Sequence, residues 1–122
     1  MKASLKIATE AASAEVTANL IQAALRLESL GNATRLSIYR VLVKAGPAGL
    51  PVGKIQRRLD IPASTLSHHL GNLIQNDLIT QIREGRVLRC ISNFHQMNEL
   101  LEFLTAECCC DAGGECQTDK RR

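Results

Sequence analysis

Apolar residues recur at helical spacing through most of the chain. Val16, Leu20, Ile21, Ala24, Leu25 and Leu27 predict a helix over about 15–29 with a wide apolar face, and Gly31 ends it. Asn32 is placed to cap a second helix that carries Leu36, Ile38, Tyr39, Val41 and Leu42. The Gly-Pro-Ala-Gly stretch at 46–49 reads as a turn. A short helix over about 52–59 and a link at 60–62 follow. The stretch 61–74 then forms the helix on which the rest of the chain is organised. At about 3.6 residues per turn, Leu66, Leu70, Leu73 and Ile74 share one face, and Ser64, Thr65, His68 and Asn72 the other.

Beyond it the periodicity changes. Residues 78–82 and 87–91 read as two strands joined by a turn with Gly85 at its tip. Asn93 is placed to cap a last helix over about 94–107, with Phe94, Met97, Leu100, Leu101 and Leu104 along one stripe. The fold class predicted is mainly α with a small two-stranded β-wing, a winged helix-turn-helix. Wide apolar faces on the first and last helices call for a second copy of the chain, which gives a two-fold dimer. Residues 1–14 are small and polar, and are expected to form a frayed or short helical arm ahead of a domain at 15–107.

The paired helices suggest a chemistry. In a helix-turn-helix the first helix crosses the DNA backbone and the second enters the groove. Ser64, Thr65, Ser67, His68, His69 and Asn72 would then supply short donors and acceptors to phosphates and base edges, with no carboxylate among them. Lys54, Arg57 and Arg58 suit phosphate contacts from the preceding helix. Arg83, Arg86 and Arg89 put positive charge along the wing. Each of Lys54, Arg57 and Arg58 taken alone reads equally well as part of a solvated face.

Composition narrows the field without deciding it. Aromatic residues make up only 2% of the chain against 45% hydrophobic, so the core must be aliphatic, as in packed helices. A net charge of +3 permits nucleic-acid binding but does not argue for it. No apolar run approaches the length of a membrane span, and a reducing cytoplasm is the expected compartment. No enzyme is expected. Ser67, His68 and His69 are neighbours on a helix and point about 100° apart, and no acid is placed to orient a His. Four of the 5 Cys crowd together as Cys108, Cys109, Cys110 and Cys116, in a tail over 108–122. That clustering is unlike a disulfide scaffold. Cys90 sits in a strand and reads as a small core residue.

The order of elements resembles the arsenical-resistance repressor (ArsR/SmtB) family of bacterial metal sensors. LGNATRLSI at 30–38, STLSHHL at 64–70 and LITQIREGR at 78–86 carry the likeness, which spans roughly 16–107. It implies a homodimer that represses its operator and lets go when a metal or metalloid binds. One sensor site of the family uses Cys on the first helix of the helix-turn-helix, where this chain has KIQRRL at 54–59 and no ligand. Another uses acid and His ligands along the last helix, where this chain has His95, Glu99 and Glu102 but no second His. The tail resembles the C-terminal thiolate site of arsenite-responsive members.

Trivalent arsenic, and antimony like it, is thiophilic and takes three sulfurs in a pyramid, and soft thiolates select soft ions. Cys108, Cys109 and Cys116 fit the family's spacing, and so do Cys109, Cys110 and Cys116, with Gly113 and Gly114 letting the chain fold back. The alternatives left open are a divalent soft metal such as zinc, cadmium or lead, thiol redox sensing on the same fold, and a thiol metal chaperone.

Overall fold

The computed structural model describes residues 11–113, so Cys116 and the first ten residues lie outside the described part. The elements run α1 (Ala11–Leu30), α2 (Ala33–Ala45), a 3-10 turn (Gly46–Ala48), β1 (Leu50–Pro51), α3 (Val52–Leu59), α4 (Ala63–Gln75), β2 (Ile79–Glu84), β3 (Val87–Ser92), α5 (Phe94–Thr105) and a second 3-10 turn (Cys110–Ala112). The first helix therefore begins at Ala11, inside the stretch expected to be an arm.

The core lies where α2, α3 and α4 meet the sheet. Ile38 and Leu42 of α2, Ile55 of α3, Leu66 and Leu73 of α4, and Leu78 are all fully buried. Cys90 is buried among them, as a small apolar residue would be, and burial pushes its thiol pKa up. The helix-turn-helix corner is made by Asp60, which takes the left-handed conformation (φ 53°) and closes α3 through its N–H on Gln56 O at 2.7 Å. Pro62 then opens α4 from an extended conformation, and no side chain caps that end.

Two expectations need correction. The sheet has three strands in the order β1-β3-β2, all antiparallel, because the chain before α3 pairs Leu50 with Cys90 and Pro51 with Arg89. The run of only two residues gave no alternation to read. Asn93 does precede α5, but its side chain does not cap that helix. It donates instead to Asp77 O at 2.8 Å and accepts from Thr80 Oγ1 at 2.6 Å, tying the exit of β3 to the α4–β2 corner.

The two flanking helices pack beside one another and each keeps an apolar face in solvent. On α1 these residues are Val16, Leu20, Ile21, Leu25 and Leu27, and on α5 they are Phe94, Leu101, Phe103 and Leu104. No described helix is long and apolar enough to cross a membrane.

Candidate nucleic-acid interface and cysteine pair

The outward face of α4 carries Ser64, Ser67 and His68 in solvent, with Thr65 half-buried beside them. The same face continues through Gly71 to Gln75, both exposed. Gln75 belongs to it by helical spacing and lies one residue past the stretch 61–74 that the apolar pattern marks. Lys54, Arg57 and Arg58 are exposed on α3, within the same helix-turn-helix.

His69 and Asn72 do not join that face. Both are half-buried and turned toward the body of the domain, contrary to the reading of Asn72 as outward. His69 Nδ1 lies 3.3 Å from Arg35 Nη1 of α2. A guanidinium only donates, so this nitrogen is the acceptor and the imidazole proton sits on Nε2. Asn72 Oδ1 accepts from Ser29 Oγ of α1 at 2.5 Å. One turn further, Asn76 O accepts from Arg26 Nε at 3.2 Å. The His69 pKa is lowered, first by burial, then by the charges of Arg35 and His68.

On the wing, Arg83 and Arg86 stand in solvent, and Arg83 Nη1 donates to Gly85 O at 3.3 Å across the turn. Arg89 does not extend this charge. It is half-buried, pairs with Glu84 at 3.0 Å and donates to Ala48 O at 3.2 Å, so it braces the wing against the loop before β1.

Past α5 the backbone turns sharply. Cys108 N donates to Thr105 O at 3.0 Å, and Cys109 takes the left-handed conformation with φ 68°. This brings the Cys108 and Cys109 sulfurs within 3.0 Å of one another, and both thiols are free and exposed. The Cys108 pKa is raised, chiefly by the hydrogen bond it shares with Cys109 and then by that neighbour's charge. Cys110 is half-buried and disulfide-bonded. Among the described residues no three His, Cys, Asp or Glu side chains converge as metal ligands. Three consecutive cysteines therefore do not form a closed site by themselves, and Cys116 lies outside the described part. On α5, His95 Nε2 pairs with Glu99 at 3.1 Å in solvent, and this pair gathers no third donor among the described residues.

A helix-turn-helix domain family matches residues 30–82, from the end of α1 into β2. Among solved structures, HlyU from Vibrio cholerae is similar, with 26% identity and a TM-score of 0.61 over 75% of this chain and 96% of its own. An ArsR-like transcriptional regulator from Rhodococcus gives a TM-score of 0.64 at 22% identity, covering 71% of this chain and 79% of that one. This is the winged helix-turn-helix fold of the ArsR-family transcriptional regulators. The same fold extends across 95% of the chain in a homodimeric winged helix-turn-helix DNA-binding domain from Mycobacterium bovis, described as a possible ArsR-family transcriptional regulator, at 21% identity, a TM-score of 0.63 and 99% of that chain. A search of curated proteins found no match.

Proposed function

We propose that the chain is a metalloid-responsive repressor that binds operator DNA as a homodimer and is released when trivalent arsenic, or antimony, binds its C-terminal thiolates. The observation that carries this reading is the pair of free, exposed sulfurs of Cys108 and Cys109, 3.0 Å apart at the end of the helix that shares the apolar seam.

Each part of the reading has a physical support. The outward row Ser64, Ser67, His68 and Gln75 offers hydrogen-bonding groups without negative charge, and α4 opens on uncapped backbone N–H groups that suit a phosphate. Lys54, Arg57, Arg58, Arg83 and Arg86 surround it with exposed cations. The apolar faces of α1 and α5 suit a second copy across a two-fold axis, which would place two α4 helices for paired half-sites. The M. bovis domain of the same fold is a homodimer.

In this mechanism the tail is fully reduced, Cys108 and Cys109 supply two sulfurs, and Cys116 supplies the third. Ordering the tail around the ligand pulls on the end of α5 and shifts one protomer against the other. A ligand relieves repression only through its differential affinity for the two arrangements, a few kcal/mol for a switch of useful size. A second reading, thiol redox sensing, is favoured by the disulfide at Cys110.

The test is fluorescence anisotropy of the DNA upstream of the protein's own gene, with fully reduced protein, titrated in turn with arsenite, zinc, cadmium and a mild oxidant. Release by arsenite at one equivalent per chain, lost in Cys116→Ser, supports the three-sulfur sensor. Release by zinc or cadmium alone moves the assignment to a divalent metal, and release by oxidant alone to redox sensing. Failure to bind any upstream DNA leaves the thiol chaperone reading.

A further inference from the structure

The inner face of α4 carries His69 and Asn72, and Asn76 caps its C-terminal end; each of the three is held by a different donor from outside the helix, Asn76 through its backbone carbonyl. Arg26 reaches Asn76 O, Ser29 reaches Asn72 Oδ1, and Arg35 reaches His69 Nδ1. Arg35 also donates through Nε to Ser29 O at 2.7 Å, so the last turn of α1 and the first turn of α2 are locked together before either touches α4. Asn32 Oδ1 accepts from Arg35 N at 3.0 Å and fixes the start of α2. Arg26 and Ser29 are 5% and 2% exposed, so a partner lost from either of these two buried side chains is poorly replaced by water.

Apolar packing holds α4 on the core through contacts that are individually weak and have no direction of their own. Hydrogen bonds from three fixed donors do have direction, and they set the helix's rotation and its position along its own axis. That is the geometry on which the placing of Ser64, Ser67 and His68 depends. We propose that Arg26, Ser29 and Arg35 clamp α4 in its DNA-reading orientation, with His69 and Asn72 as positioning residues that control operator affinity without touching DNA. The proposal rests on the DNA-binding reading above. It also connects the two ends of the molecule, since α1 belongs to the apolar seam and its last turn grips the recognition helix.

A double-mutant cycle tests this on the full-length protein. Operator affinity is measured by anisotropy for Arg35→Ala, His69→Ala and the pair, with His69→Gln as the conservative variant. Gln can offer an amide oxygen to Arg35. Hydrogen exchange of α4 amides is read in parallel. The clamp predicts that His69→Ala loses about tenfold in affinity, that Arg35→Ala adds little to it, that His69→Gln recovers most of the loss, and that α4 exchange rises only in the Ala variants. Full affinity in His69→Ala overturns the proposal. So does a loss that is additive with Arg35→Ala and not recovered by Gln, which marks a direct DNA contact. If the unaltered protein binds no upstream DNA while α4 exchange still responds, the DNA reading has failed, and the clamp is left as a structural device only.

Discussion

Gly49 lies so close to Cys90 that a methyl group on it would meet the Cys90 carbonyl oxygen at 2.2 Å. Gly49 also has φ 66°, in the left-handed region. Both facts follow from the way the chain enters β1, folded against β3 with no side chain between. Gly49→Ala is therefore expected to destabilise by about 2–3 kcal/mol or more, since strain and overlap act together. Gly71 is the control. It is helical, exposed and has nothing within 4 Å of a built Cβ, so Gly71→Ala should stabilise by about 0.5–1 kcal/mol. Urea midpoints of the two variants would check this, and shifts of the same sign would contradict it.

The wing separates two arginines that look alike in the sequence. Arg86 is exposed at the turn, whereas Arg89 pairs with Glu84 and with Ala48 O. Arg86→Ala should leave stability within about 0.5 kcal/mol and reduce the slope of log affinity against log salt by about 1 if Arg86 meets a phosphate. Arg89→Ala should loosen the wing and lower stability, without removing a phosphate contact of its own. Operator titrations at several salt concentrations, beside urea melts, tell the two apart.

His69 gives a pH dependence whose sign is fixed by its surroundings. Burial, Arg35 and His68 lower its pKa in the folded chain, so the unfolded chain holds the proton more tightly. Stability then rises with pH through the window between the lowered folded value and about 6.5, and is lost as pH falls through it. The expected result is a smaller gap between the original protein and His69→Gln at about pH 5.5 than at about pH 7.5, with Gln unable to titrate. A gap independent of pH would mean that the imidazole is not held neutral by Arg35.

The helices were legible because their apolar periodicity is strong, and the Asn32 cap of α2 was legible from residue type and position alone, its side chain accepting from Arg35 N. Three features were not. The strand at Leu50–Pro51 is too short to alternate, and exists only because Gly49 lets the backbone approach β3. Asn93 has the composition of a cap but is drawn away by Asp77 O and Thr80, partners distant in sequence. His69 and Asn72 look like part of the outward polar face until α2 supplies Arg35 and α1 supplies Ser29 to meet them. Polar residues on a helix do not announce which neighbour will satisfy them, and that choice separated the readable part of the interface from the rest.

The cysteine pair permits a test of ligand identity that does not depend on DNA. Cys108 is held protonated by its neighbour, its pKa raised by the hydrogen bond with Cys109, so at neutral pH this sulfur meets the ligand as a thiol. Arsenite at that pH is a neutral trihydroxide. Each sulfur that binds gives up its proton to a departing hydroxide, so three thiols and one arsenite yield the trithiolate and three waters, with no net proton released. A divalent metal carries no hydroxide to take those protons, and each thiol it binds must lose one to the buffer. Calorimetric titrations in two buffers of different ionisation enthalpy should therefore give the same apparent enthalpy for arsenite and different values for zinc or cadmium. An arsenite heat that changed with the buffer would show that the sulfurs were thiolates before the ligand arrived, which would remove the shared proton between Cys108 and Cys109 from the binding mechanism.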